Sequence, residues 1–143
     1  MIRYAEIKDI EQGVKLLNEN IVKFDFAKNN KNNNTEYYNV LLQNLIKDKT
    51  VIVSENNSNI DGVLICARVP NILNPHNMQL QILVTWVKKN KRGSSIFYRM
   101  NKFLENEFKN FDKIYYDIHG ETKLNYEKIG YRPLTTGYIK ERN

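Results

Sequence analysis

Only one of the 143 residues is a cysteine, so no intramolecular disulfide can brace the chain. That residue, Cys66, lies inside the apolar run Val63-Leu64-Ile65-Cys66-Ala67. The setting predicts a buried, inert thiol rather than a nucleophile, and a reducing compartment. No apolar run approaches the roughly 18 residues that a membrane span requires, and the first residues lack a charged-then-apolar-then-small secretory pattern. The expectation is a cytoplasmic protein with no membrane partner. Linkers and internal repeats are also missing, so residues 1–143 read as one domain. Acidic residues are in the minority, 16 against 22 Lys and Arg, which leaves a formal net charge of +6. The lysines are scattered, however, and the densest cluster is Lys88-Lys89-Asn90-Lys91-Arg92. A basic balance of this kind suits nucleic acid, an anionic surface or a phosphorylated ligand and does not choose among them. What the sequence does have is apolar content: 41% hydrophobic residues, enough for a packed core and against wholesale disorder.

The periodicity gives an element order. Ile2 to Ile7 reads as a strand. Asp9 then caps a helix, with Gln12 completing a capping-box spacing and Ile10, Val14, Leu17, Ile21 and Phe24 on its apolar face. The polar stretch Asn29-Asn30-Lys31-Asn32-Asn33-Asn34 reads as a loop, after which Thr35 caps a second helix faced by Tyr38, Leu41, Leu42 and Leu45. Val51-Ile52-Val53 and Ile60 to Val69, joined by the turn formers Glu55 to Asn59, predict a hairpin. Met78 to Val87 alternates throughout. Met78, Leu80, Ile82, Val84 and Trp86 are expected on one face, with Gln79, Gln81, Leu83, Thr85 and Val87 on the other, as in a central strand. Gly93-Ser94-Ser95 opens a third helix carrying Ile96, Phe97, Met100, Leu104 and Phe108. Lys113 to Ile118 reads as a strand, Glu121 to Ile129 as a short helix ended by a left-handed Gly130, and Leu134 to Glu141 as a last strand. The order is β-α-α-β-β-β-α-β-α-β, a mixed α/β (α+β) domain.

One junction carries chemistry: strand, basic glycine-containing turn, helix, from Trp86 to Met100. A helix N-terminus offers unpaired backbone N–H groups and the positive end of the dipole, so this is an anion site, with Lys91 and Arg92 adding charge. A glycine followed by serines is also a common plain helix start, and the junction alone does not separate the two. Its sequence, Val87-Lys88-Lys89-Asn90-Lys91-Arg92-Gly93-Ser94-Ser95, resembles the coenzyme A pyrophosphate loop of the GNAT superfamily of acyl-CoA-dependent N-acyltransferases. That loop follows the pattern Val-x-Pro-x-x-Arg-Gly-x-Gly/Ala. Val87, Arg92 and Gly93 match; Lys89 stands for the proline, Asn90 for the Gln or Arg that begins the core motif, and Ser95 for its last small residue. Leu124-Asn125-Tyr126-Glu127-Lys128-Ile129-Gly130-Tyr131 resembles the same family's Leu-Tyr-x-Lys-x-Gly-Phe segment, at a separation from Gly93 that suits helix, strand and helix. The turn at Asn59-Ile60-Asp61-Gly62-Val63 also resembles the family's entry to its third strand. The compact, Lys- and Asn-rich style is similar to small acetyltransferases of tailed phages or low-GC bacteria.

The resemblance spans Ile2 to about Glu141. It implies a mostly antiparallel sheet of six or seven strands flanked by four helices, in which Met78–Val87 and Lys113–Ile118 lie side by side and diverge at one end. It further implies acetyl-CoA as cosubstrate, no metal, and direct attack of a primary amine on the thioester. The coenzyme would be held by Trp86, Val87, Asn90, Lys91, Arg92, Gly93, Ser94 and Ser95. Tyr126 takes the place of the tyrosine that protonates the leaving thiolate, and a phenol pKa near about 10 suits that task. Packing beneath the last helix is the alternative role for Tyr126. No Asp or Glu lies on Met78–Val87. His119, with Asp117 sharing its face, is therefore the side chain considered as base, ahead of His76 in its Pro/Asn loop, unless the amine arrives already neutral. The acceptor, a small molecule or a protein amine, stays open, and a homodimer is admissible. Two other classes stay open as well: a GNAT-shaped module without catalysis, favoured by Asn90, Ser95 and the missing carboxylate, and a nucleic-acid binder using Lys88 to Arg92. The second is disfavoured because the basic run is short and lacks interleaved aromatic platforms.

Overall fold

The fold was obtained as a computed structural model that describes residues 1–20, 35–71, 73–74, 76–116, 125–134 and 140. Among these residues the strands are β1 (Ile2–Tyr4), β2 (Val51–Asn56), β3 (Asn59–Pro70), β4 (Met78–Val87) and β5 (Lys113–Tyr116). The helices are α1 (Ile10–Asn20), α2 (Thr35–Lys47) and α3 (Ile96–Glu107). One sheet runs in the order β1-β2-β3-β4-β5. The first three pairings are antiparallel, and β4 and β5 run parallel. A parallel pair needs a crossover, and α3 supplies it. The sheet is thus mixed and mostly antiparallel as expected; among the described residues there are five strands and three α-helices, against the expected six or seven and four. The expected helix Glu121–Ile129 is described only from residue 125 and there forms a 3-10 turn, Glu127–Ile129. The expected last strand lies outside the described residues except for Leu134 and Lys140, which are in no strand, and so do Ile21, Phe24 and the Asn-rich stretch.

Apolar residues on both sheet faces make two cores. Val51, Val53, Ile60, Val63 and Ile65 pack with Ile10 and Val14 of α1 and Tyr38 and Leu42 of α2. Ile52, Leu64, Cys66, Leu80 and Ile82 pack with Ile96, Met100 and Leu104 of α3. This explains why β3 reads as a near-continuous apolar run, buried from Ile60 to Cys66. Cys66 is wholly inaccessible, its Sγ 3.6 Å from the Thr50 carbonyl, and burial pushes its thiol up to about 11. It is a core residue, not a nucleophile. The β2–β3 turn is tighter than the sequence suggests. Asn57 and Ser58 both take positive φ, 50° and 64°, as a two-residue hairpin turn with the handedness of the sheet requires.

The alternation expected along β4 fails in its middle. Ile65 pairs with Val84 and Cys66 with Ile82, so Leu83 is an extra residue opposite β3. Such a bulge swaps the faces of everything that follows. Leu80 and Ile82 therefore join the α3 core, whereas Val84 and Trp86 pack against the α1/α2 core and Val87 returns to the α3 side. The five apolar residues do not share a face, and neither do Gln79, Gln81 and Thr85. A second bulge leaves Asp61 as the extra residue between the Ser54–Gly62 and Glu55–Ile60 pairs.

Asp9 is not the helix cap that its position suggests. It sits inside a first turn begun at Glu6, whose backbone N–H donates to Asp9 Oδ2 at 2.7 Å, and the Arg3 guanidinium grips its two carboxylate oxygens at 2.8 and 3.0 Å. Arg3 Nε also donates to Glu55 at 3.0 Å, tying β1 to α1 and β2. Gln12 reaches across to the hairpin, bonding the Ile60 N–H and the Ser58 carbonyl rather than its own helix end. Burial pushes the Asp9 carboxyl upward, but the Arg3 and Glu6 hydrogen bonds outweigh it and hold it below its ordinary value. A depressed carboxyl stabilises the fold above its unfolded pKa of about 4, and that stability is lost as pH falls through the lower folded value. Arg3→Met strands the buried carboxylate and is expected to cost about 3 kcal/mol at neutral pH. The sign of the pH effect also reverses. Denaturant titrations should show the wild type losing stability on acidification below about pH 4, and the variant regaining part of its deficit as Asp9 takes up a proton.

Candidate active site

The parallel unit β4–α3–β5 sets up the site, because α3 begins where β4 ends. Ligand crevices in such units form outside the carboxyl ends of the strands. Described pairing between β4 and β5 covers Gln79 to Ile82 against Lys113 to Tyr116. From Val84 to Val87, β4 keeps its β3 partner but has no strand partner on its other edge among the described residues. Within that stretch Thr85 Oγ1 is buried without a hydrogen-bond partner among the described residues. Trp86 turns its indole toward the α1/α2 core, so on the open edge it offers only backbone.

The turn after β4 is a 3-10 segment, Lys89–Lys91, followed by extended Arg92 and by Gly93 at φ 86°. The conformation, not crowding, demands glycine here, since a Cβ at Gly93 would meet nothing within 4 Å. The N–H groups of Lys91, Arg92 and Ser94 are used inside the turn, on the carbonyls of Lys88, Lys89 and Lys91. Those of Gly93, Ser95, Phe97 and Tyr98 have no backbone acceptor among the described residues, while the Ile96 N–H lies 3.4 Å from Ser94 Oγ. Among the described residues the free backbone donors therefore start at Gly93 and extend into the first turn of α3. Arg92 is partly structural: its Nε donates to the last β4 carbonyl, Val87 O, at 3.1 Å. Lys91 is half-buried, and Lys88, Lys89, Asn90, Ser94 and Ser95 are exposed around the turn. Unpaired donors, open space beside Gly93 and surrounding cations fit a phosphorylated ligand.

Tyr126 comes to the same end of the sheet. Its ring centroid lies 5.7 Å from that of Phe97 in the first turn of α3 and 5.1 Å from that of Tyr116 at the end of β5. It is half-buried, burial pushes its phenol upward, and its hydroxyl has no hydrogen-bond partner among the described residues. Two neighbouring phenols are committed. Tyr116 Oη donates to Asn101 Oδ1 at 2.6 Å, and Tyr131 Oη donates to the same oxygen at 2.9 Å. Asn101, Tyr116 and the anchoring role of Tyr131 were not evident in the sequence. An asparagine on the apolar face of α3, 3% exposed, is the one signal that could have found them. His119 and Asp117 lie outside the described residues. His76 is exposed in the β3–β4 connection, at the opposite end of β4 from the turn.

With this geometry in place, the comparisons are specific about fold. The sequence matches no family model and no curated protein. Among solved structures it is similar to a predicted acetyltransferase with acetyl-CoA from Clostridium acetobutylicum, at TM-score 0.78 and 20% identity over 99% of this chain and 95% of that one. It is also similar to glucosamine-6-phosphate N-acetyltransferase from Arabidopsis thaliana, at TM-score 0.70 and 19% identity over 99% and 97%. A ribosomal-protein-alanine N-acetyltransferase from Brucella melitensis gives TM-score 0.69 and 16% identity over 100% and 99%. The fold is that of the GNAT acetyltransferases. Among the described residues no helix is long and apolar enough to cross a membrane, and no three His, Cys, Asp or Glu side chains gather as a metal set.

The committed phenols make a prediction. Burial is the main cause pushing Tyr116 and Tyr131 far above an ordinary phenol, and a neutral phenol held this way favours the fold until pH passes the unfolded value of about 10. Alkaline titration followed by phenolate absorbance should show steps appearing only as the protein unfolds above about pH 10, with one of them lost in Tyr116→Phe.

Proposed function

We propose that this protein transfers an acetyl group from acetyl-CoA to a primary amine. The reading rests on one coincidence at the carboxyl end of the parallel pair: the backbone donors that open α3, the end of β4 and the Tyr126 hydroxyl come together there, and among the described residues neither those donors nor that hydroxyl has a hydrogen-bond partner. Acetyl-CoA supplies the activated acyl group as a thioester. The α3 N-terminus, from Gly93 to Tyr98, holds the pyrophosphate, and Lys91 with the exposed lysines of the turn adds charge. Backbone groups at Trp86 and Val87 orient the acyl arm along the β4 edge. As a neutral amine forms its bond to the carbonyl carbon, the carbon–sulfur bond breaks and Tyr126 delivers a proton to the departing sulfur; the proton that the acylated nitrogen then sheds returns through solvent to the Tyr126 phenolate. A phenol is matched to a thiolate of similar basicity, and the upward push from burial keeps the proton on Tyr126 until it is needed. His119 is the side chain to test as base; an amine that arrives neutral needs none.

Acceptors differ among proteins of this fold, from an amino-sugar phosphate to a protein alanine. Acceptor choice is accordingly left to a thiol-release screen over amines. The lack of a carboxylate on β4 sustains a second reading, a coenzyme-free GNAT-shaped module.

Millimolar acetyl-CoA should raise the melting temperature, since a ligand at 100 times its Kd adds about 2.7 kcal/mol. Gly93→Glu places bulk, strain and negative charge at the anion site, and binding should fall at least about tenfold, in keeping with about 1.5–3 kcal/mol for a charge-assisted contact. Absence of any shift in the wild type would overturn the enzyme reading in favour of the module. Tyr126→Phe should lower kcat with acetyl-CoA affinity nearly unchanged, because the hydroxyl acts on the leaving group and not in ground-state binding.

A further inference from the structure

The segment that carries Tyr126 is short, and its aromatic contacts alone would let it slide. Three features pin it. The Tyr126 carbonyl accepts the N–H groups of Ile129, at 3.2 Å, and Tyr131, at 3.1 Å, closing a turn that Gly130 completes at φ 94°. The Tyr131 ring packs edge-on against Tyr116, with centroids 5.0 Å apart. Its hydroxyl then enters a polar knot on α3. There Asn101 Oδ1 accepts both Tyr131 Oη and Tyr116 Oη, Asn101 Nδ2 donates to Glu105 Oε1 at 3.0 Å, and Glu105 lies 3.4 Å from Tyr131 Oη.

From this we infer that Asn101 is a positioning residue that fixes Tyr126 through Tyr131, indexing the proton donor to α3 and β5. The inference rests on the acetyl-transfer reading, in which Tyr126 serves the leaving sulfur. Its physical content is geometric. Asn101 is 3% exposed, and both lone pairs of its carbonyl oxygen are engaged by phenols from two different elements. One oxygen thereby joins the end of β5, the turn after Tyr126 and the helix whose N-terminus holds the anion. Moving α3 relative to the turn breaks a buried hydrogen bond, so the distance between Tyr126 and the anion site is held.

The test is a cycle of variants that leave the packing intact. Tyr131→Phe removes only the hydroxyl and is expected to lower kcat about tenfold through misplacement of Tyr126, with KM for acetyl-CoA within about twofold. Asn101→Leu should reproduce that loss. The substrates are acetyl-CoA and the fastest amine of a panel containing spermidine, glucosamine-6-phosphate and an alanine-terminated peptide. In a Tyr126→Phe background Tyr131→Phe should cost nothing further, because a positioning residue has nothing left to position. An additive loss in the double variant, or an unchanged kcat in both single variants, would overturn the inference. A second readout needs no turnover. Fluorotyrosine placed at position 126 alone should give one narrow fluorine NMR line that shifts and broadens in Tyr131→Phe. An unchanged line also overturns the inference. If the wild type releases no coenzyme A with any amine, it is the acetyl-transfer reading that falls, and the fluorine line still decides whether Asn101 holds residue 126 in place.

Discussion

The close approach of α3 to the sheet at Gly62 is the contact that the site depends on. A Cβ at Gly62 would lie 2.8 Å from Ile96 Cγ2 and 3.1 Å from Met100 Cε, so any larger residue forces these α3 side chains to shift. Ile96 is the first residue of α3, and Gly62 pairs with Val87, the last residue of β4. One missing side chain therefore fixes the helix N-terminus to the strand end. The backbone donors of Gly93, Ser95, Phe97 and Tyr98 owe their place to it, and so does Phe97, on which Tyr126 rests.

The extra residue at Leu83 works on the same strand from the other direction. Before it, β4 gives Leu80 and Ile82 to the α3 core; after it, the strand gives Val84 and Trp86 to the α1/α2 core. A bulge bends a strand and strengthens its twist. Here it lies one residue beyond the last described β4–β5 pair, where β4 goes on with a partner on one side only among the described residues. The largest side chain of the strand, Trp86, is thereby moved off the α3 face, leaving Thr85 and Val87 on the side that the α3 N-terminus overlooks.

Two polar clusters hold the layers together by different physics. Arg3, Asp9 and Glu55 form a charged knot at the β1 edge, where Arg3 and Asp9 are at most 13% exposed and their hydrogen bonds are charge-assisted. Asn101, Tyr116, Tyr131 and Glu105 form a knot on the opposite face, among aromatic rings and built mostly on neutral partners. The second knot also sorts the tyrosines chemically. Phenols whose hydroxyls are already engaged with a buried amide cannot easily give up a proton, whereas Tyr126, half-buried beside them, keeps a hydroxyl with no partner among the described residues.

Much of this was legible in the residues. Apolar spacing located α1, α2 and α3. Turn formers located the β2–β3 hairpin, and a glycine in a basic turn after an alternating strand located the positive-φ turn that opens α3. These are local properties: a helix face, a strand run and a positive-φ glycine are set by neighbours a few residues away. What stayed hidden depends on partners far along the chain. The bulge at Leu83 exists only because β3 pairs out of step, so ten alternating residues looked like one unbroken strand. Asp9 looked like a cap until Arg3 was folded against it, and Gln12 looked like its partner until the hairpin came within reach. Nothing in the local sequence marked Asn101 as the oxygen on which two phenols, 15 and 30 residues away, close. The sequence by itself determined where α1 to α3 and β2 to β4 form, because backbone propensity and side-chain periodicity act at short range. Only the tertiary structure decided which face each β4 side chain takes and which phenols close on Asn101, because register and hydrogen-bond saturation are set by pairing across the fold.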